Sequence, residues 1–192
     1  MISFWNKSRP QTAAQKRKDE TSMKKIVALL LVLVLCMGMT SAMADKLGSY
    51  MHTEVSKANA AGEKDGFYQA NTTICAVVLD DNGVIKNVKF DAVQVKLGFT
   101  ATGACTVEAG TVISSKEELK DGYGMRKASA IGKEWFEQAA ALEAWCVGKT
   151  VEEVLAAPLN NGYPTDADLV TGCTMGISDY LFALQKAAEL AK

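Results

Sequence analysis

Hydroxyl side chains and glycines gather just ahead of the last predicted helix, where they could hold a phosphorylated ligand. Residues 168–178 contain three hydroxyl side chains and two glycines: Thr171, Thr174, Ser178, Gly172 and Gly176. Glycine lets the backbone approach a bulky group closely. The first N–H groups of a helix are unpaired and favour a phosphate. The pattern predicts either a phosphoester site or a set of ordinary helix-capping side chains.

Other catalytic arrangements have little support in the sequence. His52 is the single histidine, which argues against a multi-histidine metal site and a His-based triad. The chain has no nucleophile-elbow motif, P-loop or dinucleotide fingerprint. Asp166 and Asp168 form a possible acid pair, but a solvated loop before a helix explains them equally well.

Four cysteines lie in residues 45–192, namely Cys75, Cys105, Cys146 and Cys173. They allow two disulfides in three pairings and contain no C-x-x-C motif. Buried free thiols are the simpler interpretation for Cys75 and Cys146. Cys173 has two interpretations: a small apolar side chain, or a redox thiol whose pKa is lowered by a helix N-terminus.

The first 44 residues have the composition of a targeting segment. Residues 1–22 are polar and basic, and indicate an early start or an extended leader. Residues 23–44 contain Met23-Lys24-Lys25, an apolar run and the small residues Ala42 and Ala44. That order is typical of a signal peptide. We expect export to the extracytoplasmic space or cell surface after cleavage between Ala44 and Asp45, with a retained membrane anchor as the alternative.

Residues 45–192 are long enough for one domain, and they are acidic. Of 21 basic and 22 acidic residues, seven basic and two acidic lie in residues 1–44. The remainder has 14 basic and 20 acidic residues, a net charge of −6. Nucleic-acid binding requires a basic surface that neutralises phosphates, so a nucleic-acid partner is excluded.

The elements predicted from periodicity favour an α+β fold. Strands are expected at 67–79 and 84–93, joined by the turn Asp80-Asp81-Asn82-Gly83. A long helix is expected over 127–147 and a last helix over 177–190. Residues 45–66 should form an irregular entry segment or a short strand, and 95–113 short strands or a loop. The expected architecture is an antiparallel hairpin-based sheet packed with a long helix and a C-terminal helix.

Two short segments carry capping boxes, in which a hydroxyl and a glutamate satisfy backbone N–H groups reciprocally. They are Ser115-Lys116-Glu117-Glu118 and Thr150-Val151-Glu152-Glu153. The first should open only a helical turn, because Gly122 and Gly124 follow. Tyr123, in that glycine-rich loop, is a candidate for ligand contact.

The run Asp168-Leu169-Val170-Thr171-Gly172-Cys173-Thr174 resembles the Asp-x-x-Ser/Thr-Gly-Ala-Thr/Ser signature of FMN-binding domains. The sodium-pumping NADH:quinone oxidoreductase contains a domain of this covalent-flavin type. Cys173 stands where that family prefers Ala. The resemblance implies that a flavin transferase esterifies FMN to Thr174 and recognises Asp168.

Further segments extend this resemblance over most of residues 67–190. The predicted hairpin, from Thr73 through Gly83 to Val88, is similar to one in FMN-binding domains. Glu118-Leu119-Lys120-Asp121-Gly122-Tyr123-Gly124-Met125 and Ile131-Gly132-Lys133-Glu134-Trp135 resemble uncharacterised exported bacterial proteins that are themselves FMN-binding-like. The implied cofactor contacts are Asp168, Thr171, Gly172, Cys173, Thr174, Met175, Ser178 and Tyr123.

The resemblance implies an exported FMN-binding-type module that carries electrons rather than acting as a stand-alone enzyme. Its partners would be a flavin transferase and a membrane or cell-surface redox chain. The alternative is a cofactor-free extracytoplasmic binding or interaction domain that retains the fold. A flavin-using reductase with its own substrate has no dedicated sequence feature.

Overall fold

A computed structural model describes residues 45–192, and the predicted leader and cleavage site fall outside or at the edge of this range. The chain forms a three-stranded antiparallel sheet, a small two-stranded ribbon and four α-helices within the described residues. The sheet strands are β1 (Lys46–Asn59), β2 (Gly66–Leu79) and β3 (Ile85–Phe99), with β2 in the centre. The ribbon pairs β4 (Leu159–Asn160) with β5 (Tyr163–Pro164).

The helices are α1 (Lys116–Leu119), α2 (Trp135–Cys146), α3 (Val151–Leu155) and α4 (Ser178–Glu189). Short 3-10 turns cover Lys120–Tyr123 and Leu169–Thr171. Helix α2 packs against β3, and α4 packs against β1 and β2. We call the sheet face that they cover the inner face. The predicted α+β class and the hairpin-based sheet with two main helices are confirmed. No helix in residues 45–192 has the length and apolar character needed to span a membrane.

Residues 45–66 were expected to form an irregular segment or a short strand. The structure instead shows a 14-residue strand, β1, at the edge of the sheet. Strand β1 pairs with β2 along its whole length, with one irregularity between Val55 and Lys57. Its side chains are mostly exposed, so the sequence lacks the apolar alternation that signals a half-buried strand. Backbone pairing with the central strand, rather than side-chain burial, makes this segment a strand.

The long helix begins later than its sequence pattern predicts. Residues 127–134 form turns and irregular backbone, and α2 starts at Trp135 with Glu134 as its N-cap. Gly132 has a φ of 64°, a conformation incompatible with a continuous right-handed helix. The Glu134 carboxylate also accepts hydrogen bonds from the backbone N–H groups of Met125 and Arg126. The turns are therefore stabilised by the side chain that caps the helix.

The predicted turn and both predicted capping boxes agree with the structure, whereas the predicted end of the second strand does not. The Asp80 carboxylate accepts hydrogen bonds from the backbone N–H groups of Asn82 and Val84, and Gly83 has a φ of 76°. Both capping boxes are present, from Ser115 to Glu118 and from Thr150 to Glu153. Strand β3 continues past its predicted end, and Phe99 bridges Cys105 in the loop that follows.

The core lies between the inner face of the sheet and helices α2 and α4. It is built from aliphatic and aromatic side chains, including Cys75, Val77, Ile85, Phe90, Trp135, Leu142, Ile177 and Leu184. Alternate side chains of β2 are buried on the inner face. These side chains are apolar at Leu79, Val77 and Cys75, and polar at Thr73. The packed core therefore ends near Thr73.

Gly48 allows α4 to lie directly against the sheet. A Cβ atom at this position would be 1.9 Å from the backbone oxygen of Ala187, so the helix would have to move away from β1. We expect Gly48→Ala to lower the free energy of unfolding by at least about 1–3 kcal/mol, the usual cost of overpacking. Urea unfolding measures this change.

Gly62→Ala is the matched control, because a Cβ at Gly62 meets nothing within 4 Å. Its stability should stay within about 0.5 kcal/mol of the parent. Equal stabilities for the Gly48 and Gly62 variants would contradict the close approach of α4 to β1.

Candidate functional site

A cavity of about 360 Å³ opens on the inner face where the core ends. We call it the tyrosine cavity, because Tyr123, Tyr163 and Tyr180 contribute to its walls. The segments that meet there are β2, β3, the loop after α1, the start of α2, the ribbon and the start of α4. The volume lies within the range of small-molecule sites.

The floor of the tyrosine cavity consists of polar side chains from the sheet. Asn71 and Thr73 of β2 line it beside Ala92 of β3. The Asn71 side-chain oxygen accepts hydrogen bonds from Gln69 Nε2 at 3.2 Å and Gln94 Nε2 at 3.1 Å. This network orients the Asn71 amide, whose nitrogen makes no hydrogen bond to other residues in 45–192. The floor therefore offers a donor to a bound ligand.

Two aromatic residues connect the cavity wall to the core. Trp135 Nε1 donates a hydrogen bond to the Tyr180 hydroxyl at 3.0 Å, and the Tyr180 ring packs edge-on against Phe90 with centroids 5.6 Å apart. Burial raises the pKa of Tyr180 well above its usual range, against the opposing effect of the Trp135 hydrogen bond. Tyr180 is thus a neutral and fixed part of the wall. Trp135 is buried and also lines the cavity.

Glu134 holds the glycine-rich loop that carries Tyr123. Its buried carboxylate accepts the backbone N–H groups of Met125 and Arg126, each at 2.8 Å. Between them and Tyr123 lies Gly124, whose φ of 79° favours glycine. Two backbone donors thereby satisfy a carboxylate that would otherwise be costly to bury. This contact sets the position of Met125, which with Tyr123 lines the cavity.

Gln138 holds the loop that carries the FMN-binding-like signature. It is fully buried in α2, and its Oε1 accepts the backbone N–H groups of Thr174 at 2.9 Å and Met175 at 3.0 Å. The Thr174 hydroxyl lies 3.4 Å from the same oxygen. Gln138 Nε2 donates to Ser129 Oγ and to the Lys133 carbonyl. One side chain thus connects three segments of the chain.

Sequence reasoning overlooked both Glu134 as a loop anchor and Gln138. A signal for Gln138 was available, because it lies near the apolar stripe of Trp135, Ala139 and Leu142. A polar amide on a buried helix face must find partners, and here those partners are the signature loop. For Glu134 no sequence pattern identified the partner loop.

The structure brings part of the predicted site to the tyrosine cavity. Met175 and Tyr123 line it directly, and Thr174, which is half-buried, precedes Met175 in the chain. Ser178 is exposed and is the first residue of α4. The N-cap residue is Ile177, and no side-chain hydrogen bond caps the helix there. Gly176 lines the cavity, and the Ile177 N–H donates to the Gly162 carbonyl at 2.8 Å.

Thr174 and Ser178 are next in the chain to lining residues but do not themselves line this cavity, and neither do the other predicted residues. Asp168 and Thr171 are exposed, and the Thr171 hydroxyl donates to the Asp168 carbonyl at 2.7 Å. Gly172 packs against α2, where an added Cβ would meet the Ala141 Cβ at 2.6 Å. These three residues shape or precede the turn that leads to Thr174.

Cys173 is a core residue rather than an activated thiol. It is completely buried, and burial raises its pKa to about 11. Of its two interpretations, the small apolar side chain is supported and the low-pKa redox thiol is wrong. Cys75 and Cys146 are also buried and free, and burial raises the pKa of each to about 12. Cys105 is free and exposed.

Comparison with known proteins finds similarity to a reductase. In an alignment of 180 positions, a chlorophenol reductase of Desulfitobacterium hafniense is 31% identical to this chain, and the match covers 70% of this chain and 54% of the reductase. The chain thus spans about half the length of this curated relative. No family model matches the sequence. No solved structure matches it closely. The chain is therefore similar to a redox protein.

Replacement of Gln138 should destabilise the domain and release the signature loop. In Gln138→Leu, the N–H groups of Thr174 and Met175 lose their shared acceptor. Each unpaired buried group costs about 1–3 kcal/mol, so two such groups should lower the free energy of unfolding by about 2–6 kcal/mol. Urea unfolding measures the loss, and faster hydrogen exchange at both amides should accompany it.

Gln185→Leu provides the control, since Gln185 is an exposed residue of α4. We expect its stability to change by no more than about 0.5 kcal/mol. If both leucine variants retained the stability and amide protection of the parent, Gln138 would not anchor the loop.

The cysteines should differ sharply in reactivity, because the thiolate is the nucleophile. In a Cys36→Ser background, which removes the cysteine outside the described residues, iodoacetamide at about pH 8 should label Cys105 alone. Raised pKa values and burial keep the other three thiols protonated and inaccessible. Intact mass should show one adduct in the folded protein and four after denaturation.

An added Cys105→Ser substitution should remove labelling of the folded protein. Rapid modification of Cys173 in that variant would instead indicate that the signature loop opens readily.

Proposed function

We propose that residues 45–192 form an extracytoplasmic FMN-binding module that transfers electrons. The ring would occupy the tyrosine cavity, and the phosphate would be esterified to Thr174. The observation that carries this proposal is the position of the signature loop. Met175 and Gly176 line the cavity immediately after Thr174, so the predicted attachment residue adjoins a site large enough for a small-molecule ligand.

The side chains around the tyrosine cavity are of the chemical types that would contact an isoalloxazine ring. Tyr123 and Tyr163 offer aromatic surface, and Met125 and Met175 offer polarisable thioethers. Such groups suit a flat, largely apolar ring system. The amide of Asn71 could hydrogen-bond the polar edge of the ring. Flavin-binding sites need both kinds of contact, and this cavity supplies both.

The surroundings of Thr174 suit a phosphoester. The start of α4 has no side-chain cap, so its first N–H groups are available to a phosphate, which the helix dipole also favours. Gln138 fixes the backbone of Thr174 without enclosing the residue, which remains half-buried. The loop is thus ordered before attachment.

Attachment would require a flavin transferase and a phosphoanhydride donor of FMN. Thr174 Oγ1 would lose its proton and form a bond to the FMN phosphorus. The phosphoanhydride bond of the donor would break, and its other half would leave with the bonding electrons. The resemblance of residues 168–174 to the FMN-binding signature supports this step.

Bound FMN would supply the redox chemistry, and the protein would position and tune it. The buried Tyr180 and Trp135 would keep water from the inner wall, and the sheet floor would orient the polar edge. Similarity to a reductase supports a redox role. The leader-like residues 23–44 support export, and a membrane or cell-surface redox chain is the proposed electron partner.

A cofactor-free binding domain is the second candidate, and one observation favours it. The Asp179 carboxylate lines the tyrosine cavity in the first turn of α4, where it would repel a phosphate. A neutral or cationic ligand would avoid this repulsion. The two candidates differ in whether the folded protein acquires flavin.

Coexpression of the full chain with a flavin transferase tests the proposal. We expect yellow protein that keeps its colour after denaturation and has the added mass of one FMN less water. Thr174→Ala should abolish the adduct because the ester oxygen is absent, whereas Thr174→Ser should retain it. Absorbance and intact mass measure both outcomes.

Thr111→Ala is the matched control, because Thr111 is exposed, lies outside the signature and both cavities, and its hydroxyl donates to the Glu108 carbonyl. This variant should still form the adduct. If denaturation removed the colour, the flavin would be bound non-covalently and not through an ester. A folded but colourless chain would favour the cofactor-free domain.

A further inference from the structure

We propose that a second cavity on the inner face binds a small organic carboxylate with a short apolar body. This cavity has a volume of about 340 Å³ and lies over the ends of β3 and α1. We call it the lysine cavity, because Lys96 and Lys116 both line it. Its ligand is distinct from FMN, so the proposal stands without the proposed flavin function.

The charge of the lysine cavity selects an anion. Lys96 and Lys116 form no ion pair within 4.0 Å among residues 45–192. The residues that line the cavity include neither Asp nor Glu within the described part of the chain. Residues 45–192 otherwise have a net negative charge. Two cations without an ion-pair partner thus share one concave site, and a bound carboxylate would be attracted to both.

Lys116 is held in place by contacts that preserve its charge. Its Nζ lies 4.7 Å from the centre of the Tyr123 ring and 5.7 Å from that of Trp135. Cation–π contacts orient an ammonium group without neutralising it. The Asp91 carboxylate accepts the backbone N–H of Glu117 at 3.2 Å, which ties α1 to β3. The cation is thus positioned before a ligand binds.

Apolar side chains beside the lysines define the rest of the ligand. Val112, Ile113 and Leu119 line the cavity and are 86%, 38% and 41% exposed. An apolar group placed against them would remove their surface from water, which is favourable. An inorganic anion would use the lysines but leave this surface exposed. The combination therefore favours an organic carboxylate over phosphate or sulfate.

The two cavities share part of their walls. Lys116 and Tyr123 line both the lysine cavity and the tyrosine cavity. A carboxylate bound by Lys116 would lie beside the Tyr123 ring, whose other neighbours belong to the proposed flavin site. Lys96 lines only the lysine cavity, which allows the two sites to be tested separately.

Benzoate is a suitable probe, with benzamide as its neutral counterpart and acetate as the anion without an apolar body. Titration of the isotope-labelled full chain, followed by amide NMR shifts, measures binding. We expect benzoate to shift the amides of Ile113, Leu119 and Gly122 at millimolar concentration, and to bind more tightly than either control compound. Lys96→Gln should weaken benzoate binding about fivefold, as for an exposed ion pair.

Lys57→Gln removes the same charge from an exposed position of β1, and it should leave benzoate affinity unchanged. The proposal is overturned if benzamide binds as tightly as benzoate, if the two lysine variants weaken binding equally, or if no shifts occur around the cavity. Thr174→Ala should not alter benzoate binding, so failure of the flavin proposal would leave this result intact.

Discussion

Two buried polar side chains at the start of α2 hold the loops that form two walls of the tyrosine cavity. Glu134 and Gln138 lie one helical turn apart and are 2% and 0% exposed. Neither can be buried without hydrogen-bond partners. Glu134 finds them in the backbone of the preceding loop, and Gln138 finds them in the backbone of the signature loop, which is distant in the chain. The satisfaction of these two groups therefore fixes the loops that carry Met125 and Met175. Without that constraint, both walls of the tyrosine cavity would lose their anchors.

The side chains on the inner face of the sheet determine where the loops held by Glu134 and Gln138 can enclose a cavity. Along the inner face of β2 the side chains change from Val77 and Cys75 to Thr73 and Asn71, and β3 changes in register from Phe90 to Gln94. Apolar residues close the core under α2 and α4, whereas the inner face of β2 from Thr73 onward carries polar side chains, including the buried Gln69. Both cavities lie over this polar end of the sheet. Gly48, at the opposite end, lets α4 pack directly on β1.

The properties of the thiols bear on the proposed redox role. Cys75, Cys146 and Cys173 are buried, and burial raises the pKa of each to between about 11 and about 12. They serve as apolar packing and are poorly suited to electron transfer at neutral pH. The proposed electron-carrying function therefore relies on a bound group rather than on these three thiols, which is the reason that the tyrosine cavity and Thr174 are central to the proposal. The lysine cavity adds a neighbouring site with a different charge preference.

The sequence by itself determined the features that depend on neighbouring residues. The turn at Asp80–Gly83, both capping boxes and the last helix follow from short-range hydrogen bonds and periodicity, and the α+β class follows from their order. Only the tertiary structure decided that β1 is a full strand, because its pairing with β2 is a long-range backbone contact with little side-chain burial. It also decided that α2 begins at Trp135 and that Gln138 holds Thr174. These outcomes depend on which distant backbone groups meet a buried polar side chain, and sequence spacing does not specify that choice.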